Sequence, residues 1–160
     1  MGTIFDPSEI FQLAVRIEEN GENFYRKMAE KFDDIEVKEL FTFLANEEIG
    51  HKKFYNELLK EFKTYDPPSE YATEYYEFIS TYADEVMFNT KDFEEYSSKV
   101  TDIISALNFA IDSELHAVLY FSEMKHLVSQ EKRDIIDNII EEERKHFVKL
   151  SNMKKIKEKK

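Results

Sequence analysis

Cysteine is absent from the 160-residue chain, and glycine and proline occur only three times each. Without cysteine there are no disulfides, no thiolate nucleophile, no cysteine-ligated zinc and no iron site held by four cysteines. Basic residues are outnumbered, 22 Lys+Arg against 34 Asp+Glu, for a formal net charge of −12. That balance opposes attraction to phosphate backbones and anionic membranes and favours cationic partners or metal ions, so no nucleic-acid partner is expected. No apolar run approaches the roughly 18 residues of a membrane span, and MGTIFDPSEI has no charged segment leading into an apolar one. A cytoplasmic location without a membrane partner is the expectation. What is present, 42% hydrophobic and 35% charged residues with few helix breakers, reads as one helix-rich domain over 1–160.

Asp6-Pro7-Ser8-Glu9 is a helix start, with Asp6 to cap, Pro7 at the first helical position and Glu9 at the capping-box spacing. Periodicity predicts a first helix over about 8–32, a turn at Asp33-Asp34, and a second helix over about 35–63 that Pro67 and Pro68 stop. A third is predicted over about 98–128 and a fourth over about 130–155, with Ser129 as cap and 156–160 as a frayed tail. The Tyr- and Phe-rich connection 66–97 is expected to hold short helices, for example around Glu70 to Met87. A helix of this size is ~40 Å long, and a connection of roughly 30 residues can run its whole length. The short links therefore make two antiparallel hairpins and the long one leaves helices two and three parallel: an all-α four-helix bundle with a long crossover.

Following the three-then-four spacing of a core-facing seam gives Phe11, Ala14, Glu18, Gly21, Tyr25, Met28 and Phe32 on helix one, and Phe41, Leu44, Glu48, His51, Tyr55, Leu58 and Phe62 on helix two. Helix three gives Leu107, Ala110, Glu114, Ala117, Phe121, Met124 and Val128; helix four gives Ile136, Ile139, Glu143, His146, Leu150 and Met153. Each seam is apolar except at one level: a Glu on helices one and three, Glu-x-x-His on helices two and four. The two hairpins also repeat one another, since Glu18 to Glu48 is 30 residues and Glu114 to Glu143 is 29. Facing hairpins bring the six groups to one level.

Four carboxylates without a cation would repel one another and lose hydration, at several kcal/mol per uncompensated ion. Two divalent cations balance them. Residues three apart project about 60° apart with a rise of ~4.5 Å, so one Glu-x-x-His presents an oxygen and a nitrogen to the same ion. Oxygen and imidazole donors without thiolate suit iron or manganese. Glu47 or Glu142 is an alternative inward residue, because each helix permits a neighbouring stripe. Glu123-x-x-His126 shares the spacing but lies off the seam and reads as a surface pair; His116 is off the seam too. Tyr25 is core by pattern, and its hydroxyl can reach a ligating carboxylate across the bundle. Gly21 leaves space either for a metal or oxygen ligand or for close helix packing.

The segments AVRIEENGENFY, EEIGH, AIDSELHAVLYF and EEERKH together resemble the ferritin-like superfamily, specifically its rubrerythrin (erythrin) branch. The ligand set of Glu from two helices and Glu-x-x-His from the other two is the one the di-iron and di-manganese bundle proteins share. The resemblance implies a ferritin-like four-helix bundle with Glu18, Glu48, His51, Glu114, Glu143 and His146 as ligands of two iron ions, or of manganese or mixed metals, and Glu48 and Glu143 bridging. It implies a redox enzyme in oxidative stress that reduces peroxide or O2, a homodimer, and an external electron-transfer protein, since no rubredoxin-type cysteines occur here. Rubrerythrins also carry a further helix-three carboxylate where this chain has Ala117, a departure that bears on peroxide reduction. The competing readings are an iron-handling protein with ferroxidase activity, a metal-free helical interaction module, and di-manganese catalase-like or substrate-oxidising chemistry.

Overall fold

The computed structural model describes residues 8–62, 73–82 and 90–160. Its helices are α1 (Ser8–Lys31), α2 (Ile35–Phe62), α3 (Thr73–Tyr82), α4 (Thr90–Ser98), α5 (Ile103–Met124) and α6 (Gln130–Glu158). The expected start signal at Asp6-Pro7 and the Pro67-Pro68 stop lie outside the described residues.

The chain breaks where local polar groups satisfy the helix ends. Between α1 and α2, Asp34 Oδ1 accepts from the Val37 amide at 3.1 Å, capping α2. Helix α5 begins at Ile103, not near 98, because Asp102 and Ser105 close a capping box: the Ser105 amide donates to Asp102 Oδ1 at 2.7 Å, and the Asp102 amide to Ser105 Oγ at 3.1 Å. The segment ahead of it forms the separate α4, so the crossover carries two short helices. Helix α5 tightens into a 3₁₀ turn at Lys125–Leu127. Ser129 stands extended at the start of α6 but makes no side-chain cap bond. The expected frayed tail is corrected at its start: α6 stays helical to Glu158, because Lys157 Nζ lies 2.8 Å from Asp34 Oδ2 and 2.7 Å from Glu36 Oε2 and ties the last turn to the start of α2.

Helix α1 packs along α2, and α5 along α6. Pairing is antiparallel in each: Lys52 meets Glu22 at 2.7 Å while Tyr25 stacks on Phe41 further along, and Lys125 meets Asp137 while His146 faces Glu114. Helix α5 also opposes α1, since the Tyr120 hydroxyl donates to the Ile10 carbonyl at 2.7 Å and that of Tyr25 donates to Glu114. Helices α2 and α5 therefore run the same way, as a long crossover requires, and the fold is an all-α bundle.

Two apolar clusters make the core. One gathers Phe11, Tyr55, Leu58, Tyr120, Phe121 and Ile136; the other Phe24, Tyr25, Phe41, Leu44, Leu107 and Leu150. Between them lie Glu18, Glu48, His51, Glu114, Glu143 and His146, each 1–5% exposed. Every buried Leu or Phe contributes about 1.5–3 kcal/mol, enough in sum for the bundle to tolerate a buried polar layer. No helix among the described residues is long and apolar enough to cross a membrane.

Candidate metal centre

The polar layer is built from one carboxylate on α1, one on α5, and a Glu with a His one turn later on α2 and α6. These donors fall into two overlapping groups: Glu18, Glu48, His51 and Glu143, and Glu48, Glu114, Glu143 and His146. Within each group, one donor atom per residue lies within 4.8 Å of the others. Glu48 and Glu143 belong to both. His51 Nδ1 stands 2.9 Å from Glu143 Oε1, 3.6 Å from Glu18 Oε2 and 3.8 Å from Glu48 Oε2. His146 Nδ1 stands 3.0 Å from Glu143 Oε2, 3.6 Å from Glu114 Oε1 and 3.7 Å from Glu48 Oε1. Ligands of one small cation at 2.0–2.2 Å stand about 3 Å apart. Glu18 Oε1, Glu143 Oε1 and His51 Nδ1 have no aligned hydrogen-bond partner although all three are buried. A buried polar atom in that state is costly in a protein alone and satisfied by a cation between the groups. The donor set and its orphaned atoms fit a di-metal centre.

The outer imidazole nitrogens face carboxylates of the opposite helix, and that of His51 is hydrogen-bonded there. His51 Nε2 lies 2.5 Å from Glu142 Oε2, and His146 Nε2 lies 4.0 Å from Glu47 Oε2. This settles the register left open by the sequence: Glu48 and Glu143 face inward, while the side chains of Glu47 and Glu142, 37% and 45% exposed, sit at the rim. The signal for the pair is the acidic doublet before each x-x-His, repeated in both hairpins: a residue one step from the seam is rotated by about 100°, toward the facing helix. The Tyr25 hydroxyl donates to Glu114 Oε1. Tyr55, fully buried, approaches the layer from the other apolar cluster with a hydroxyl that has no hydrogen-bond partner. By its pattern it reads as core sooner than as a cofactor contact. His116 is half-buried and belongs to neither group, and its pKa is lowered by burial. Glu123 and His126 also lie outside both.

Gly21, Ala117 and Ser113 open a cavity of about 30 Å³ between α1 and α5, into which Glu18, Glu48, Glu114 and Glu143 face. A Cβ at Gly21 would stand 3.5 Å from Glu48 Cγ, an ordinary contact, so the glycine leaves beside Glu48 a space that a methyl group would fill.

The electrostatics follow from crowding. Burial, then the charge of Glu143, pushes the Glu18 carboxyl up to about 7 and that of Glu114 up to about 8. Burial and the charge of Glu18 hold Glu48 well above the usual carboxylate range. Burial also acts against ionisation of Glu143, but contacts with His146 and His51 outweigh it and its pKa is lowered. Burial disfavours charge on the imidazoles, yet Glu143, Glu18 and Glu48 raise the pKa of His51, and Glu114 and Glu143 raise that of His146 to about 10. Burial, reinforced by Glu114, keeps Tyr25 a protonated donor. The metal-free layer is thus a set of carboxyls and imidazoles holding protons that a cation would displace.

A four-helix bundle with a long crossover and a buried layer of four carboxylates and two imidazoles defines a ferritin-like carboxylate protein with a di-metal site. The family profile of rubrerythrin matches residues 9–154, and the chain belongs to the rubrerythrin family. A solved structure from Thermotoga maritima, described as a ferritin-like diiron-carboxylate protein, is similar with a TM-score of 0.68 and 25% identity, over 97% of this chain and 98% of that one. The comparison with curated proteins finds no match.

Proposed function

We propose that Glu18, Glu48, His51, Glu114, Glu143 and His146 would hold two iron ions, Glu48 and Glu143 being common to both donor groups, and that the centre reduces peroxide or O2 with electrons from an external protein. The observation that carries this is the pair of overlapping donor groups sharing Glu48 and Glu143, with orphaned buried atoms on Glu18, His51 and Glu143. Iron supplies the one-electron steps between its ferrous and ferric states. The protein's part is to place and balance that chemistry. Four carboxylates match the charge of two divalent ions. His51 and His146 present Nδ1 inward, while Glu142 bonds the outer nitrogen of His51 and fixes its ring orientation and basicity, and Glu47 faces that of His146 from 4.0 Å. Tyr25 pins one oxygen of Glu114 and holds a proton at its hydroxyl next to the layer. The two apolar clusters exclude bulk water above and below.

Metal analysis of the protein purified without chelator, followed by anaerobic Fe(II) titration and exposure to peroxide or air, tests this. Two irons per chain and rapid growth of ferric near-ultraviolet absorbance are expected. No iron uptake rejects the site, and uptake without oxidation rejects the redox role.

A further inference from the structure

The cavity beside the layer has a wall that neither α1 nor α5 supplies. Phe93 of α4 lines it, its ring 6.2 Å from that of Phe24 and 5.3 Å from that of Phe109. The crossover thus contributes directly to the space in front of the carboxylates. We propose that this cavity is a size filter that admits dioxygen and hydrogen peroxide and excludes organic hydroperoxides, with Phe93 as the specificity-determining residue. The inference rests on the di-metal redox reading of the layer and names its substrate class.

Volume is the first ground. A single water needs roughly 10–15 Å³ of such space, so a cavity of about 30 Å³ holds a molecule of two non-hydrogen atoms. The four added carbons of tert-butyl hydroperoxide do not fit in that space with the peroxide group, and must project out of it or displace a wall such as Phe93. Close-packed aromatic walls give way only at a cost. Chemistry is the second ground. The lining offers carboxylates as acceptors, while the Ser113 hydroxyl is spent on the Phe109 carbonyl at 2.9 Å and that of Tyr25 on Glu114. A small neutral molecule with O–H donors suits that lining, and a free anion does not. In the reaction, the O–O bond of ROOH breaks as two Fe(II) each give one electron and become Fe(III), and two protons complete ROH and water. With R = H the products are two waters.

The full-length chain loaded anaerobically with two equivalents of Fe(II) provides the test, in wild type, Phe93→Ala and Ala117→Leu, with iron content and helical circular dichroism checked in each. Nitric oxide binding, read by absorbance, reports access without turnover. Oxidation rates with hydrogen peroxide and tert-butyl hydroperoxide report selectivity. Wild type should bind nitric oxide and react at least about tenfold faster with hydrogen peroxide, the lower range of what overpacking a filled interior costs. Phe93→Ala should narrow that ratio. Ala117→Leu should keep its iron and lose nitric oxide affinity by about tenfold or more. Equal wild-type rates with both hydroperoxides, an unchanged ratio in Phe93→Ala, or wild-type nitric oxide affinity in Ala117→Leu would overturn the filter. Nitric oxide binding in wild type that is lost in Ala117→Leu, with no oxidation by any hydroperoxide, would reject the redox function and with it the hydroperoxide selectivity, leaving the cavity only as the route to the irons. Absence of iron uptake, seen before any oxidant is added, rejects both.

Discussion

Each inward side chain differs from its neighbours in what its removal should do. Glu48 is shared by both donor groups, so Glu48→Ala should abolish binding of both metals with helicity largely kept, whereas Glu123→Ala should leave metal content unchanged; metal analysis with circular dichroism checks the pair. Glu142→Gln removes the anionic partner of His51 Nε2 and should weaken metal binding by about 10–100-fold, measured by competition with a chromophoric chelator. Protonation sets the pH behaviour of the metal-free protein. Glu18 and Glu114, with pKa values of about 7 and about 8 when folded against 4.5 ordinarily, bind more protons folded than unfolded. Stability from them is therefore present at low pH and lost as pH rises from 4.5 to about 8. His146 acts in the same direction, fully contributing below 6.5 and not above about 10. Glu143, whose pKa is lowered, acts oppositely and contributes only above its folded value. Melting temperature in chelator should fall between about pH 6 and 9, and metal affinity should rise over the same range as ligands shed protons.

At the scale of elements, the helices and their seams were legible because helix periodicity is local: Phe11, Ala14, Leu44, Leu107, Ile136 and Leu150 are buried where the three-then-four spacing puts them. Ends were less legible. The start of α5 depends on the Asp102–Ser105 box, a pattern short enough to be hidden in the polar run that precedes it. The end of α6 depends on Lys157 reaching Asp34 and Glu36, more than a hundred residues away in the chain. Lys157→Met should leave the global melting temperature nearly unchanged and speed amide exchange selectively in the last turn of α6.

For the whole molecule, the polar layer between two apolar clusters couples folding to metal. Anything that binds only the folded layer stabilises it by mass action, about 2.7 kcal/mol at a free concentration a hundredfold above Kd. Fe(II) or Mn(II) at that free concentration should raise the melting temperature by roughly 5–10 °C, and chelator should reverse the rise. With a net charge of −12, the chain also gains from the positive charge itself.

The sequence alone determined the helical hairpins, their core-facing stripes and the six polar residues that interrupt them, because each depends on spacing within one helix and on the repeat between hairpins. Only the tertiary structure decided which side chains meet across helices: Tyr25 with Glu114, His51 with Glu142, and Phe93 over the cavity floored by Gly21 and Ala117. Such pairings depend on the rotation and axial offset of one helix against another and on where the crossover lies. Local periodicity carries neither.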